Sequence, residues 1–249
     1  MKHALLLAAC LLAAPAPGPT SDSIDLRGRA QQIVLYGSRG GRPVVLTSGD
    51  LGWWGLVVHV AEVLAARGYY VVGFNSRTYL TSFTSGNSAL TRADVGHDYL
   101  QLAEYARRGS STPPILAGVS EGAGLSVLAA TFPDVKARIA GVLALGLPDQ
   151  TALGWRWQDS TIWVTKKAPR EPSFMVKEII AGVSPVPLAE IHSSHDEFLS
   201  LGEARRMFAL AGEPKKMWVI EAANHRFSNN RPELDRRLVE ALEWIPRAK

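Results

Sequence analysis

Two hydrophobic periods alternate along this chain. Compact apolar runs rich in β-branched and aromatic residues are separated by longer stretches whose apolar positions recur at helical spacing. Gln32 to Tyr36, Arg42 to Ser48 and Tyr69 to Phe74 read as strands, as do Pro114 to Ala117, Ile139 to Leu145, Pro187 to Ile191 and Met217 to Glu221. Between them, Leu56 to Arg67 predicts an apolar helix stopped by Gly68. Ala93 to Arg108, Ala123 to Ala130 and Gly202 to Leu210 predict three more helices. A last helix starts near Pro232 and carries Leu234, Leu238, Leu242 and Ile245 on one face. Residues 148 to 184 break the alternation and are expected to be a lid or a long surface loop. Strands alternating with helices imply an α/β domain with a mostly parallel central sheet and helices on both faces. In such sheets a functional site is expected at the carboxyl ends of the strands.

Composition adds little to that class but narrows the partners. With 249 residues, 47% of them hydrophobic and 20% charged, the chain is long enough for one well-packed domain. Its net charge of +4 is spread without a long Lys/Arg run, so no nucleic-acid partner is expected. The first residues, Met1-Lys2-His3 followed by Ala4 to Ala14, form a basic end and a short apolar stretch, with prolines and small residues beyond. This reads as a signal peptide and leader over residues 1–22, leaving a single domain over 23–249 and a periplasmic or secreted protein. Leu7-Ala8-Ala9-Cys10 resembles a lipoprotein box, the alternative fate of the only cysteine.

Gly118-Val119-Ser120-Glu121-Gly122 carries the candidate chemistry. A G-x-S-x-G pentapeptide between a strand and a small-residue helix has the layout of a nucleophile elbow. The bland alternative is a strand-to-helix connection with Ser120 as N-cap. A serine hydroxyl needs a base to take its proton and an acid to orient that base. His225, in Asn224-His225-Arg226-Phe227 between the last strand and the last helix, is the candidate base. His3 lies in the leader, His59 and His97 precede Ser120, and His192 and His195 fall where the acid is expected. Asp196 in the loop after the Pro187 strand is the candidate acid, with Asp149 the alternative and Glu197 read as a solvated neighbour. Two backbone N–H groups would form an oxyanion hole, one from Glu121 and one from Asp50 or Leu51 in the turn Ser48-Gly49-Asp50-Leu51-Gly52-Trp53-Trp54. The chemistry expected is acyl transfer from an ester to water. His192 and His195 form an isolated pair, and no dinucleotide fingerprint or phosphate loop is present, so neither a metal nor a cofactor is expected.

Several of these segments resemble a known family. Ser48-Gly49-Asp50-Leu51-Gly52-Trp53 and Gly73-Phe74-Asn75-Ser76-Arg77-Thr78-Tyr79-Leu80 are similar to the S-G-D-G-G-W and G-x-x-S-L-R-Y-x-W segments of the VirJ/AcvB bacterial virulence proteins. The helix with Asp94, Asp98 and Tyr99, and Leu143 to Leu147, are similar too, so the resemblance runs from Pro43 to Phe227. It implies an α/β-hydrolase fold, export, and hydrolysis of an ester such as an aminoacylated phospholipid. The chain departs from the family at Leu51, where a second glycine is usual. It departs again at the elbow, where Glu121 replaces an aromatic residue. Asp50 and Glu121 beside the nucleophile would favour a positively charged group near the scissile ester. Trp53, Trp54, Trp155, Trp157 and Trp163, with Lys166, Lys167 and Arg170, are read as buried lid packing or as a patch for peripheral contact with an anionic membrane. The partner expected is thus a small-molecule or lipid ester. The alternative to an enzyme is a non-enzymatic periplasmic binding or secretion accessory protein on the same fold.

Overall fold

The computed structural model describes residues 18–156 and 171–247. Eight strands form its main sheet: β1 (Thr20–Leu26), β2 (Arg29–Tyr36), β3 (Arg42–Thr47), β4 (Tyr69–Phe74), β5 (Ile115–Val119), β6 (Gly141–Leu145), β9 (Leu188–Ser193) and β10 (Lys215–Ile220). Their order is β1-β2-β4-β3-β5-β6-β9-β10. β1 and β2 are antiparallel to their neighbours, and every other pair is parallel. β4 is buried at every position because both faces of the sheet are covered, which is why it reads as a continuous apolar run.

Two cores follow from the two faces. On one face α1 (Leu56–Ala66) and the last helix, here α8 (Arg231–Trp244), pack Val60, Leu64, Leu238 and Leu242 against Val44, Leu46 and Ile191. On the other, α3 (Arg92–Arg107), α4 (Glu121–Ala129) and α7 (Leu201–Ala209) cover Val45, Val72, Leu116 and Val142. α3 starts with a capping box, in which the Thr91 side chain accepts from the Asp94 N–H and Asp94 returns the bond to Thr91.

The structure adds elements where the pattern was weak. β1 starts at Thr20, inside the stretch read as leader, so the folded part begins before residue 23. Its sequence is polar and mostly exposed, an edge strand with little hydrophobic signature. α2 (Ser76–Phe83) buries only Ser76, Tyr79 and Leu80 and is capped by Asn75, which accepts from the Thr78 N–H at 3.2 Å. Short α5 (Pro133–Lys136) precedes β6. Residues 148 to 184 are not wholly irregular. β7 (Gln150–Ala152) pairs antiparallel with β8 (Ser173–Met175), and α6 (Val176–Ile179) follows. Residues 157–170, with Trp157, Trp163, Lys166, Lys167 and Arg170, lie outside the described residues, as do residues 1–17 with Cys10. Among the described residues, no helix is long and apolar enough to cross a membrane.

Candidate active site

β5 ends at Val119 and α4 starts at Glu121, leaving Ser120 to make the whole turn between them. It does so at φ 52°, ψ −119°, a conformation that L side chains adopt only under constraint. The constraint is local. Ser120 N–H donates to Leu145 O at 2.8 Å, and Ser120 O accepts from the Ala123 N–H at 2.8 Å. The flanking glycines are steric requirements. A Cβ on Gly118 would fall 2.1 Å from Gly122 O, and one on Gly122 would fall 2.4 Å from Ser48 O. Ser120 therefore sits in the strained elbow that the pentapeptide predicts, and its side chain accepts no N–H as an N-cap.

The base and acid candidates meet in the cavity that Ser120 also lines. His225 Nδ1 lies 2.5 Å from Asp196 Oδ2, and both side chains are almost wholly buried. Asp196 Oδ1 accepts from the Phe198 and Leu199 N–H groups at 2.9 and 3.2 Å. Burial alone would raise the Asp196 carboxyl, but the bonds from His225, Phe198 and Leu199 outweigh it and hold it below its ordinary value. It is therefore a carboxylate at neutral pH, and it must accept a proton from His225 Nδ1. That leaves Nε2 as the basic atom. His225 Nε2 is buried and makes no hydrogen bond in this arrangement. Ser120, Asp196 and His225 line one cavity of about 400 Å³ at the carboxyl ends of the strands.

Other residues hold the His225 loop. Asn224 Oδ1 accepts from the Arg226 and Ser228 N–H groups, which tightens the turn around His225. Glu197, read from the sequence as a solvated neighbour, is exposed but accepts the His225 N–H at 2.7 Å and ties the base loop to the acid loop. Gly146, which sequence reasoning missed as a site residue, lies under the imidazole. It has φ +57°, and a Cβ there would fall 2.5 Å from His225 Cε1. Its signal was its position, at the end of the strand next to the nucleophile strand. Asp149, the alternative acid, also lines the cavity, but no hydrogen bond or ion pair joins it to His225 among the described residues.

The turn after β3 faces the elbow. Gly49 packs against Ser120, with 3.3 Å from an added Cβ to the Ser120 Cβ, and Asp50 and Leu51 line the cavity beside it. The turn is braced by α2. Ser76 N–H donates to Ser48 Oγ at 3.1 Å, and Ser76 Oγ donates to Gly49 O at 2.9 Å. Ser48-Gly49-Asp50 and Asn75-Ser76, the two most family-like segments, are thus one unit in space. The Glu121 carboxyl accepts the Ala152 N–H at 2.5 Å. Burial pushes it up to about 8, against the Ala152 bond and with Asp50 adding to the rise. At neutral pH Glu121 is therefore held protonated and does not add the carboxylate charge beside the nucleophile that the sequence suggests. Trp53 donates to the Tyr36 hydroxyl and Trp155 is buried, while Trp54 is 66% exposed at the cavity. Among the described residues no group of His, Cys, Asp and Glu side chains is placed to hold a metal ion.

This fold recurs in solved hydrolases. Est1E from Butyrivibrio proteoclasticus is 15% identical, with a TM-score of 0.66 over 90% of this chain and 98% of its own. A membrane phospholipase A described as a bacterial virulence factor is 15% identical, with a TM-score of 0.65 over 92% of this chain and 87% of its own. A serine hydrolase without lid from Xanthomonas campestris is 17% identical, with a TM-score of 0.58 over 92% and 95%. At these identities the likeness establishes the fold. The family model for the bacterial virulence protein VirJ matches residues 42–165, which hold the Ser48 turn, α2, α3 and the elbow. Over those residues the chain is similar to VirJ, and its fold is that of the α/β-hydrolases. None of the curated proteins matches its sequence significantly. The VirJ match ends before Asp196 and His225, so the reading of these two as candidate acid and base rests on the geometry of this chain.

Proposed function

We propose that this protein is an exported serine hydrolase that cleaves a carboxylic ester by acyl transfer to water. The observation that carries this reading is the short Asp196–His225 bond, which opens onto the same cavity as a serine held in a strained elbow. His225 Nε2 takes the Ser120 proton as Oγ attacks the ester carbonyl, and Asp196 stabilises the resulting imidazolium. The Glu121 N–H and the Asp50 or Leu51 N–H stabilise the tetrahedral oxyanion. The protonated imidazole then protonates the departing alcohol, and a water activated by the same nitrogen hydrolyses the acyl-enzyme. Among esters we favour those of a cationic acyl group, aminoacylated phospholipids among them. The likeness of residues 42–165 to VirJ supports this choice, and the exposed Trp54 at the cavity supports a substrate presented at an anionic membrane.

A fluorophosphonate probe tests the core of the reading. Labelling of the folded protein that vanishes in Ser120→Ala is expected. Folded protein that never labels and hydrolyses no ester would instead support a binding or accessory role. The substrate is tested by comparing lysyl and acetyl esters of one alcohol at low and high salt. A preference for the lysyl ester that shrinks with salt is expected, and equal rates at both would remove the cationic substrate. Co-sedimentation with anionic vesicles tests the membrane contact, and protein left wholly in the supernatant would remove it. Export is tested by fractionating a bacterial host that expresses the full chain, and activity confined to the cytoplasm would overturn it.

A further inference from the structure

Behind the Asp196–His225 pair lies a second buried acid–imidazole pair that the reaction above does not use. Glu190 and His192 sit two residues apart on β9, so they project from the same face of the sheet, and both are fully buried. His192 Nδ1 is 3.4 Å from Glu190 Oε1. On the other side of the ring, Nε2 lies 3.0 Å from Leu199 O and 3.9 Å from Asp196 Oδ2. Beyond that 3.4 Å contact, neither Glu190 oxygen nor His192 Nδ1 has a partner at hydrogen-bond geometry. Buried polar atoms left in that state cost about 1–3 kcal/mol each, so they persist where something else depends on them.

The geometry gives the dependence. A carbonyl oxygen only accepts, so the His192 Nε2 must carry a proton and donate it to Leu199 O. Leu199 is also the residue whose N–H bonds Asp196 Oδ1. His192 thus clamps the carbonyl side of the residue whose amide side orients the carboxylate. The Leu199 side chain is 6% exposed and packed in the core, while the exposed Glu197 and Phe198 before it leave the backbone from Asp196 dependent on such ties.

We infer that His192, steadied by Glu190, is a positioning residue that fixes the loop from Asp196 to Leu199 so that Asp196 Oδ2 faces His225. This rests on the triad reading above. It assigns His192 no contact with substrate and no proton transfer. Its role is mechanical: without the clamp the loop can swing, and the Oδ2···Nδ1 bond lengthens. A displacement of about 1 Å at such a site costs on the order of 100-fold in rate.

The test separates this inference from the triad reading. Wild-type protein must first show ester turnover that Ser120→Ala abolishes, since without it the triad reading itself fails. The double variant Glu190→Met/His192→Leu removes both buried polar side chains together and keeps the volume, leaving the Leu199 carbonyl without its His192 donor. It is expected to fold with a melting temperature close to the wild type. Its kcat is expected to fall about 30-fold with KM within about twofold. His192→Gln, whose amide can still donate to Leu199 O, is expected to retain kcat within about threefold. Proton NMR of the wild type should show a far-downfield Nδ1–H from the His225–Asp196 bond, lost in the double variant and kept in His192→Gln. Wild-type kcat in the double variant would overturn the inference. So would an unshifted downfield proton, or a His192→Gln variant as slow as the double one. Should the double variant not fold, 15N spectra of histidine-labelled wild type decide: an unprotonated His192 Nε2 overturns the clamp.

Discussion

Replacing Asp196 by Asn is the sharpest test of the site. Asn has nearly the same shape, and its Oδ1 can keep the Phe198 and Leu199 N–H groups now held at 2.9 and 3.2 Å. Its amide nitrogen then stands where Oδ2 stood, 2.5 Å from His225 Nδ1. Two N–H donors cannot face each other, so His225 must move its proton to Nε2, the atom that has to receive the Ser120 proton. A base locked in the wrong tautomer loses about 10⁴ in kcat, or about 5.5 kcal/mol of barrier. KM should barely move, because the substrate touches neither atom, and kcat/KM should fall in step with kcat. Stability gives an independent check. Asp196 is held below its ordinary carboxyl value, so its contribution is present above that value and lost as pH falls through the folded one. The wild type should therefore melt higher than Asp196→Asn at pH 7, and the gap should close below about pH 4. Turnover of p-nitrophenyl acetate, the rate of fluorophosphonate labelling and thermal melts across pH measure all three. The reasoning is refuted if Asp196→Asn keeps turnover within tenfold of wild type, or if Asp149→Asn is the more damaging change.

Three further outcomes follow from other contacts. Gly146→Ala pushes a methyl to 2.5 Å from His225 Cε1 at a φ of +57°, so turnover should fall by about 100-fold or more while far-UV circular dichroism is unchanged. Glu121→Gln keeps an acceptor for the Ala152 N–H but removes a carboxyl pushed from 4.5 up to about 8. Such a group stays protonated in the folded state while the unfolded chain ionises, so wild-type stability declines as pH rises through that window. The variant should match the wild type at pH 4 and melt higher by about 3 °C or more at pH 8.5, and a gap that is constant with pH would count against the buried carboxyl. Asp98→Ala removes the acceptor that takes Arg27 at 2.8 Å and the Tyr79 hydroxyl at 2.6 Å, anchoring the β1–β2 hairpin to α2 and α3. A loss of about 3–5 kcal/mol is expected in a melt, with turnover at 25 °C retained by the folded fraction.

The parts legible in the sequence are those with a strong local cause. The parallel strands announced themselves because a strand covered on both faces must be apolar throughout, as Tyr69 to Phe74 is. The elbow was legible because sterics leave little choice but glycine at Gly118 and Gly122. Candidates Asp196 and His225 followed from chain order, and the structure brings these two together at 2.5 Å. β1 escaped because an exposed edge strand needs no hydrophobic face, and α2 because one cap and two buried apolar side chains are a faint signal. Glu197 and Glu121 show a different limit. Their partners are backbone N–H groups of His225 and Ala152, and no side-chain pattern reveals a bond to the backbone of a distant loop.

Among the described residues, several of the buried polar atoms without a hydrogen bond lie close to the cavity, although Tyr70 Oη does not. Asp98 is buried too, but it is bonded, to Arg27 and Tyr79, as expected where stability alone is at stake. The Glu190 oxygens, His192 Nδ1 and His225 Nε2 are not, and they lie along one path from β9 to the cavity. Trp155 Nε1 and Arg231 Nη1 add unpartnered donors on residues of the cavity wall. Ser120 contributes backbone strain at the same place. Strain and unmet hydrogen bonds each cost about 1–3 kcal/mol, so a fold under no demand but stability would shed them. An apolar Glu190/His192 pair should therefore leave the melting temperature close to the wild type while lowering turnover, the opposite pairing from the Asp98 change. That inversion distinguishes a residue kept for the reaction from one kept for the fold, and it can be read before the natural ester is known.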